Sequence, residues 1–204
     1  MPRGLYAIYD RASLDGDHLA HVEAILAHGA LWLQYRDKRD SAPDRGLLCE
    51  LAALTRAYDA RLIVNDDWPL AAEIGADGVH LGQNDGNVAE ARAALGERAI
   101  IGISCQDRIE RARAGLAAGA SYISFGRFFS SATKPDAPPA APAVLTAARE
   151  LGAPIVAIGG INRYNARSLI TAGADLIAVS GGLFAAPDPG AAAAELAGLF
   201  DPSG

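Results

Sequence analysis

The chain has 204 residues, 50% of them hydrophobic and 21% charged, a balance that suits a packed globular protein and excludes a disordered one. A net charge of −6 argues against general nucleic-acid binding, which needs a basic face, but not against a phosphorylated small molecule, for which only local charge matters. The two cysteines, Cys49 and Cys105, form neither a disulfide framework nor a metal-ligand spacing, as expected in a reducing cytoplasm.

The opening MPRGLYAIYD runs straight into a strand, and nowhere is there an apolar run of about 18 residues, so neither a leader nor a membrane span is expected. GLYAIYD (4–10) is the first strand, and HLAHVEAILAHG (18–29) is an amphipathic helix closed by Gly29. LWLQYRDK (31–38) is the second strand, followed by a helix over 43–60 with Pro43 near its first turn. RLIV (61–64) is the third, WPLAAEIG (68–75) a short helix and ADGVHL (76–81) the fourth strand. Helices over 87–96 and 107–120 then flank the strand AIIGISC (99–105), and SYISFG (121–126) is the sixth strand. A Pro-rich loop leads to a helix over 141–152, the strand PIVAIGG (154–160) and a helix over 162–173. ADLIAVSGG (174–182) is the eighth strand, and a helix over 190–200 ends the series.

Eight strands, each followed by a helix and with no linker between units, predict a single (β/α)8 TIM-barrel domain over 1–204, short against the usual ~250 residues. A doubly wound open sheet is the alternative, but a switch-point insertion is lacking. Three helix-to-strand joints repeat one phrase, IGADGVH, AAGASYI and TAGADLI. Barrels of this kind carry their chemistry on the loops that follow the strands.

Asp66 and Asp85 fall in two such loops. If the third and fourth strands are parallel neighbours, about 4.8 Å apart, both carboxylates face the same way. Two carboxylates with few other ligands suit Mg²⁺, which completes its shell with waters and a substrate phosphate. The plainer account makes them turn formers and helix N-caps. On the second strand, alternation sends Leu31, Leu33, Tyr35 and Asp37 outward, and Trp32, Gln34, Arg36 and Lys38 into the barrel and its mouth. Cations there need an anion: a phosphorylated ligand, or internal pairing with Asp10, Asp66 or Asp85.

The loop after strand six (126–142) is the longest and clusters Ser130, Ser131, Thr133 and Lys134 at the strand end. Glycine pairs after strands seven and eight would let backbone amides approach an anion, where tight turns are the plainer account. Ser104 ends strand five with no base evident beside it, so it is not read as a nucleophile. His80 points inward and reads as a hydrogen-bonded core histidine. His18, His21 and His28 lie at the periphery, and Trp68-Pro69 starts a helix.

Together QYRDK (34–38), VNDD (64–67), GADGVHLGQND (75–85), GIS (102–104), GRFFSSATKP (126–135), AIGGI (157–161) and AVSGG (178–182) resemble thiamine-phosphate synthase, in order and over nearly the whole chain. ADGVHLGQ and TKP are the specific phrases. The resemblance implies an alkyl-transferring barrel enzyme of the cytoplasm that joins 4-amino-2-methyl-5-(diphosphooxymethyl)pyrimidine to a thiazole ethyl phosphate (a carboxythiazole phosphate), yielding thiamine phosphate and pyrophosphate. It implies that Gln34, Tyr35, Arg36, Asp37, Lys38, Asn65, Ser104 and Lys134 contact the pyrimidine diphosphate. Asp66 and Asp85 then hold Mg²⁺, and Ser131, Ala132, Thr133, Gly160, Val179 and Ser180 form the thiazole-phosphate site. The chain departs from the family at Asp67, where an arginine is frequent; at Ser131, where a threonine is frequent; and at Cys105-Gln106-Asp107, where a histidine often follows the serine.

The implied chemistry agrees with the residues. Diphosphate leaves once its charge is neutralised, here by Mg²⁺, Arg36, Lys38 and Lys134; an electron-rich aminopyrimidine supports the methylene cation, and the thiazole nitrogen attacks it. No protein nucleophile is needed. The partners expected are small molecules, with no nucleic acid and no membrane, and oligomeric state is left open. Two competitors stand beside this reading: a related thiazole tautomerase, which needs a general base instead of a diphosphate site, and a non-catalytic sensor of phosphate ligands.

Overall fold

Every helix-to-strand joint must turn the chain sharply, and Gly75 does so in the left-handed region (φ 65°), its N–H satisfying the carbonyls of Ala71 and Ala72. The structure, a computed structural model, describes residues 1–14, 18–39, 42–82, 87–130 and 139–201. The strands are β1 (Gly4–Asp10), β2 (Ala30–Arg36), β3 (Arg61–Asn65), β4 (Gly78–Leu81), β5 (Ile100–Gln106), β6 (Tyr122–Phe125), β7 (Ile155–Ile158) and β8 (Leu176–Val179). They pair in parallel, each with its neighbour in sequence, and β8 returns to β1, closing the predicted barrel. The helices are α1 (Leu19–Ala27), α2 (Arg45–Ala57), α3 (Trp68–Ile74), α4 (Val88–Leu95), α5 (Ile109–Ala117), α6 (Ala143–Ala148), α7 (Ala166–Ala172), α8 (Gly181–Phe184) and α9 (Pro189–Gly198). They form the outer ring, with α9 packed on α1.

β4, β6, β7 and β8 are shorter than the apolar pattern suggests. At β8 the expected strand over 174–182 stops at Val179, and Gly181 and Gly182 open the helical turn α8. Glycine continues an apolar run in sequence without continuing a strand. The expected helix over 162–173 begins only at Ala166, because Asn162 and Asn165 first bond to each other across a turn.

The repeated joint phrase has a structural cause. Asp77, Ser121 and Asp175 occupy the same place in it, just below β4, β6 and β8. Each side chain accepts the backbone N–H of the preceding strand, from Leu62 (2.8 Å), Ile101 (3.1 Å) and Ile155 (3.0 Å) respectively. The bottom of the barrel is thereby braced strand to strand.

Two apolar layers result. Leu5, Ala7, Leu33, Val64, Val79, Ile101, Phe125 and Val179 face outward against the helices. Tyr6, Ile8, Trp32, Ile63, Tyr122, Val156, Leu176 and Ala178 fill the interior, where Tyr6, Trp32 and Tyr122 meet edge to face. Interior space for the Tyr122 ring exists only because residue 102 has no side chain: a Cβ there would lie 1.9 Å from the ring. Gly102→Ala is therefore expected to lower unfolding free energy by at least ~2 kcal/mol through overpacking, measured by urea denaturation; a loss below about 0.5 kcal/mol would show that Tyr122 can move aside freely.

Candidate active site

The mouth of the barrel is organised by β2. Its alternation places Leu33 and Tyr35 in the outer layer and Trp32 inside, and Gln34 is buried at 4% exposure. Arg36 pairs in register with Asp10 of β1, and its Nη1 donates to Asp10 Oδ2 at 2.6 Å. Asp10 is 1% exposed; it also accepts from Ala12 N and Ser13 Oγ, capping the 3-10 turn Arg11–Ser13. Sequence reasoning reached Asp10 only as one internal partner among three. Its place opposite Arg36 follows from strand register.

Lys38 and Asn65 converge on Asp66. Lys38 Nζ lies 2.5 Å from Asp66 Oδ2, and Asn65 Nδ2 donates to the same oxygen at 2.5 Å. Asp66 Oδ1 accepts from Gly82 N (3.2 Å), and Asp66 N donates to His80 O (2.8 Å), which stitches the end of β3 to β4. Asp66 holds the left-handed region (φ 65°), a conformation Asp tolerates better than most side chains. Asp67, by contrast, is the N-cap of α3, with its Oδ1 accepting from Leu70 N at 2.8 Å. The plain cap reading thus applies to Asp67, and its carboxylate is committed to the helix. Asp66 is a partly open hard oxygen donor, which fits Mg²⁺ with its one or two carboxylates. No cluster of three or more His, Cys, Asp or Glu suited to a metal occurs among the described residues, and Asp85, the other expected ligand, lies outside them.

Tyr35 and Asp37 point away from the mouth. Tyr35 packs in the outer layer and donates to Asp37 Oδ2. Asp37 is held by Arg39, whose hydrogen bonds bring its carboxyl down to about 2. Burial is the largest influence on Tyr35 and raises its phenol.

Ser104 does have a histidine beside it. His80 Nε2 is 3.0 Å from Ser104 Oγ, and His80 Nδ1 is 2.8 Å from Tyr122 OH. The absence of an evident base was a limit of reading each strand alone. His80 pairs in register with Gly102, two positions before Ser104 on the same inward face of β5. His80 is nevertheless the hydrogen-bonded core residue expected, 7% exposed and stacked on Tyr122.

On the far side, Gly160 takes φ 64°, and a Cβ there would sit 2.4 Å from Ser130 O and 2.8 Å from Phe129 Cβ. The loop leaving β6 therefore rests on the loop leaving β7, which Asn165 secures through its Nδ2 bond to Gly160 O. Ser180 precedes the first turn of α8. Val179 turns its side chain to the outer layer. Ser131, Ala132, Thr133 and Lys134 lie outside the described residues.

The family profile described as thiamine monophosphate synthase matches residues 5–183. The chain belongs to the thiamine monophosphate synthase family. It is 54% identical over 183 residues to the thiamine-phosphate synthase of Marinobacter nauticus, covering 89% of this chain and 82% of that protein. It is also 54% identical over 198 residues to that of Chromobacterium violaceum, covering 97% and 96%. Among solved structures, thiamine phosphate pyrophosphorylase from Pyrococcus furiosus superposes with a TM-score of 0.84 at 33% identity, covering 96% of this chain and 94% of that one. A 3-hexulose-6-phosphate synthase superposes at TM-score 0.70 with 20% identity, a likeness of fold alone.

Family membership makes the protein an enzyme, a transferase of thiamine biosynthesis. No helix among the described residues is long and apolar enough to cross a membrane. Removing Asp10 would strip the buried counter-charge from Arg36. Asp10→Ala is expected to cost about 2–4 kcal/mol of stability, less than a fully buried pair because Arg36 is partly open, checked by chemical denaturation at neutral pH. A cost under 0.5 kcal/mol would mean that water replaces Asp10 without penalty.

Proposed function

We propose that the enzyme condenses 4-amino-2-methyl-5-(diphosphooxymethyl)pyrimidine with thiazole ethyl phosphate to give thiamine phosphate and pyrophosphate, with Mg²⁺ as its cofactor. The observation that carries this reading is the set of ion pairs at one rim, Arg36 with Asp10 and Lys38 with Asp66, set beside the family membership. The two pairs differ in kind. Arg36 is anchored on a buried carboxylate, whereas Lys38 is 45% exposed and can exchange its partner. A diphosphate can draw Lys38 from Asp66, which opens a position on Asp66 Oδ2 for a metal while Asn65 and Gly82 still hold the carboxylate. Asp66 and Asp85 are the residues assigned to hold Mg²⁺. When bound, the ion would supply Lewis-acid neutralisation of diphosphate charge.

In the reaction, the methylene C–O bond breaks and its electron pair leaves with the diphosphate. Arg36, Lys38 and Lys134 stabilise the charge that develops there, while Gln34, Asn65 and Ser104 hold the pyrimidine. The thiazole nitrogen then donates its lone pair to the methylene carbon. Gly160, Ser180 and residues 131–133 are assigned to the thiazole phosphate. The expected reducing cytoplasmic setting rests on cysteine usage, with Cys49 exposed and Cys105 buried and neither in a disulfide.

The tautomerase reading gains one observation, the histidine beside Ser104. His80 is buried between Ser104 and Tyr122, however, which makes it a poor base for a ligand in the mouth. Purified enzyme with Mg²⁺ is expected to release one pyrophosphate per thiamine phosphate, and only with both substrates present. Isomerisation of a thiazole phosphate without pyrophosphate release would identify the tautomerase instead, and binding without turnover a sensor.

The charged residues should separate kinetically. Lys134→Ala is expected to raise the barrier by roughly 2–4 kcal/mol in single turnover with little change in pyrimidine-diphosphate affinity, as for loss of one preorganised donor. Asp66→Ala should weaken activity and be partly rescued by high Mg²⁺. Unchanged Mg²⁺ dependence in Asp66→Ala, or single turnover within twofold of wild type in Lys134→Ala, would remove the corresponding role.

A further inference from the structure

Gln34 on β2 and Ser104 on β5 are connected through the barrel interior. Gln34 Nε2 donates to Tyr6 OH at 2.8 Å, and Tyr6 OH lies 3.1 Å from Tyr122 OH. Tyr122 OH lies 2.8 Å from His80 Nδ1, and His80 Nε2 lies 3.0 Å from Ser104 Oγ. Tyr6, Tyr122 and His80 have no role in the reaction described above. They nonetheless link two of its binding residues.

Proton counting gives the chain a direction. Each hydroxyl has one proton to donate. Tyr6 OH accepts from Gln34, and its other partner among the described residues is Tyr122 OH, so its proton goes to Tyr122. Tyr122 then donates to His80 Nδ1, which makes His80 the Nε2–H tautomer and the donor to Ser104 Oγ. Ser104 keeps its own proton for the mouth. The reverse order would give Tyr6 OH two donors and leave its proton without an acceptor at a fully buried position, the costly case for a hydrogen-bonding group. Burial raises both phenols well above their ordinary range, so both protons stay in place. Ring stacking of His80 on Tyr122 and the gap at Gly102 hold the geometry.

We infer that this one-way chain sets the polarity of the mouth, an acceptor at Gln34 Oε1 and a donor at the Ser104 hydroxyl, so that the site takes an aminopyrimidine and rejects its oxo counterpart. The selectivity rests on the pyrimidine reading above. A 4-aminopyrimidine offers an N–H₂ donor and an unprotonated ring nitrogen. The 4-oxo lactam offers a carbonyl and a ring N–H, reversed at both places. A site whose polar groups are fixed rejects such an analogue because they are left unpaired. Tyr6, Tyr122 and His80 are thus positioning residues, acting through Gln34 and Ser104.

The direction can be tested without substrate. In [¹⁵N]histidine-labelled full-length enzyme, long-range ¹⁵N–¹H correlation should show His80 as Nε2–H, its signals assigned by their loss in His80→Gln. An Nδ1–H ring, as when the Gln34 amide is turned end for end, or a doubly protonated ring overturns the direction. Tyr122→Phe should lose the tautomer bias. The same variant should also reduce the preference in kcat/KM for the 4-amino over the 4-oxo pyrimidine diphosphate from at least about 100-fold to under tenfold, mostly through KM. Tyr6→Phe should behave alike, and serves where Tyr122→Phe fails to fold. A folded variant with the full preference overturns the role of the chain. Turnover of neither diphosphate by wild type overturns the pyrimidine reading and the selectivity with it, while the His80 tautomer still decides the direction independently.

Discussion

A closed barrel of eight parallel strands admits only every second side chain of each strand to its interior, and the space there is filled by what it receives. Most of the features at the mouth follow from that constraint. The lower interior takes three large aromatic rings, Tyr6, Trp32 and Tyr122, and the Tyr122 ring fits because Gly102 brings no side chain: a Cβ there would lie 1.9 Å from it. The hydroxyls of Tyr6 and Tyr122 are buried away from water, so they bond to each other and to Gln34 and His80. A polar chain inside an apolar barrel is the outcome of placing tyrosines where phenylalanines would pack as well.

The same parity governs the charges. Successive inward positions on β2 and beyond place Gln34, Arg36 and Lys38 at rising height, and β2 itself contains no carboxylate. Each cation is met from a neighbouring strand end, Arg36 by Asp10 of β1 and Lys38 by Asp66 beyond β3. The rim therefore carries its counter-ions before any ligand arrives. One pair is buried and structural; the other is open enough to exchange. In the function proposed above, that asymmetry would let a single site be stable when empty and still receive an anion.

The opposite end of the barrel serves a different purpose. Asp77, Ser121 and Asp175 each spend a side chain on a backbone amide of the adjacent strand, closing the register at the bottom and leaving the loops at the top free to vary. Arg92 strengthens this end by reaching the carbonyls of Gly96, Ala99 and Gly119 at once. Short strands suffice for the fold because closure and these braces supply what strand length does not.

Element order, barrel closure, the inward set Gln34–Arg36–Lys38 and the burial of His80 were legible from local periodicity, since alternation along a strand and helix-stopping glycines act over a few residues. The capping role of an aspartate after β3 was legible as well, although its assignment to Asp67 instead of Asp66 depends on the left-handed backbone at Asp66. Ser104 with His80 was not, Arg36 with Asp10 was legible only as one of three possible pairings, Tyr6 with Tyr122 was not, and the outward turn of Val179 required the closed sheet to be seen. Those partners are 24, 26 and 116 residues apart. Their meeting is set by the register between strands, which a one-residue slip would move to the other face. Local sequence determines which side chains point inward; only the folded barrel decides which of them touch.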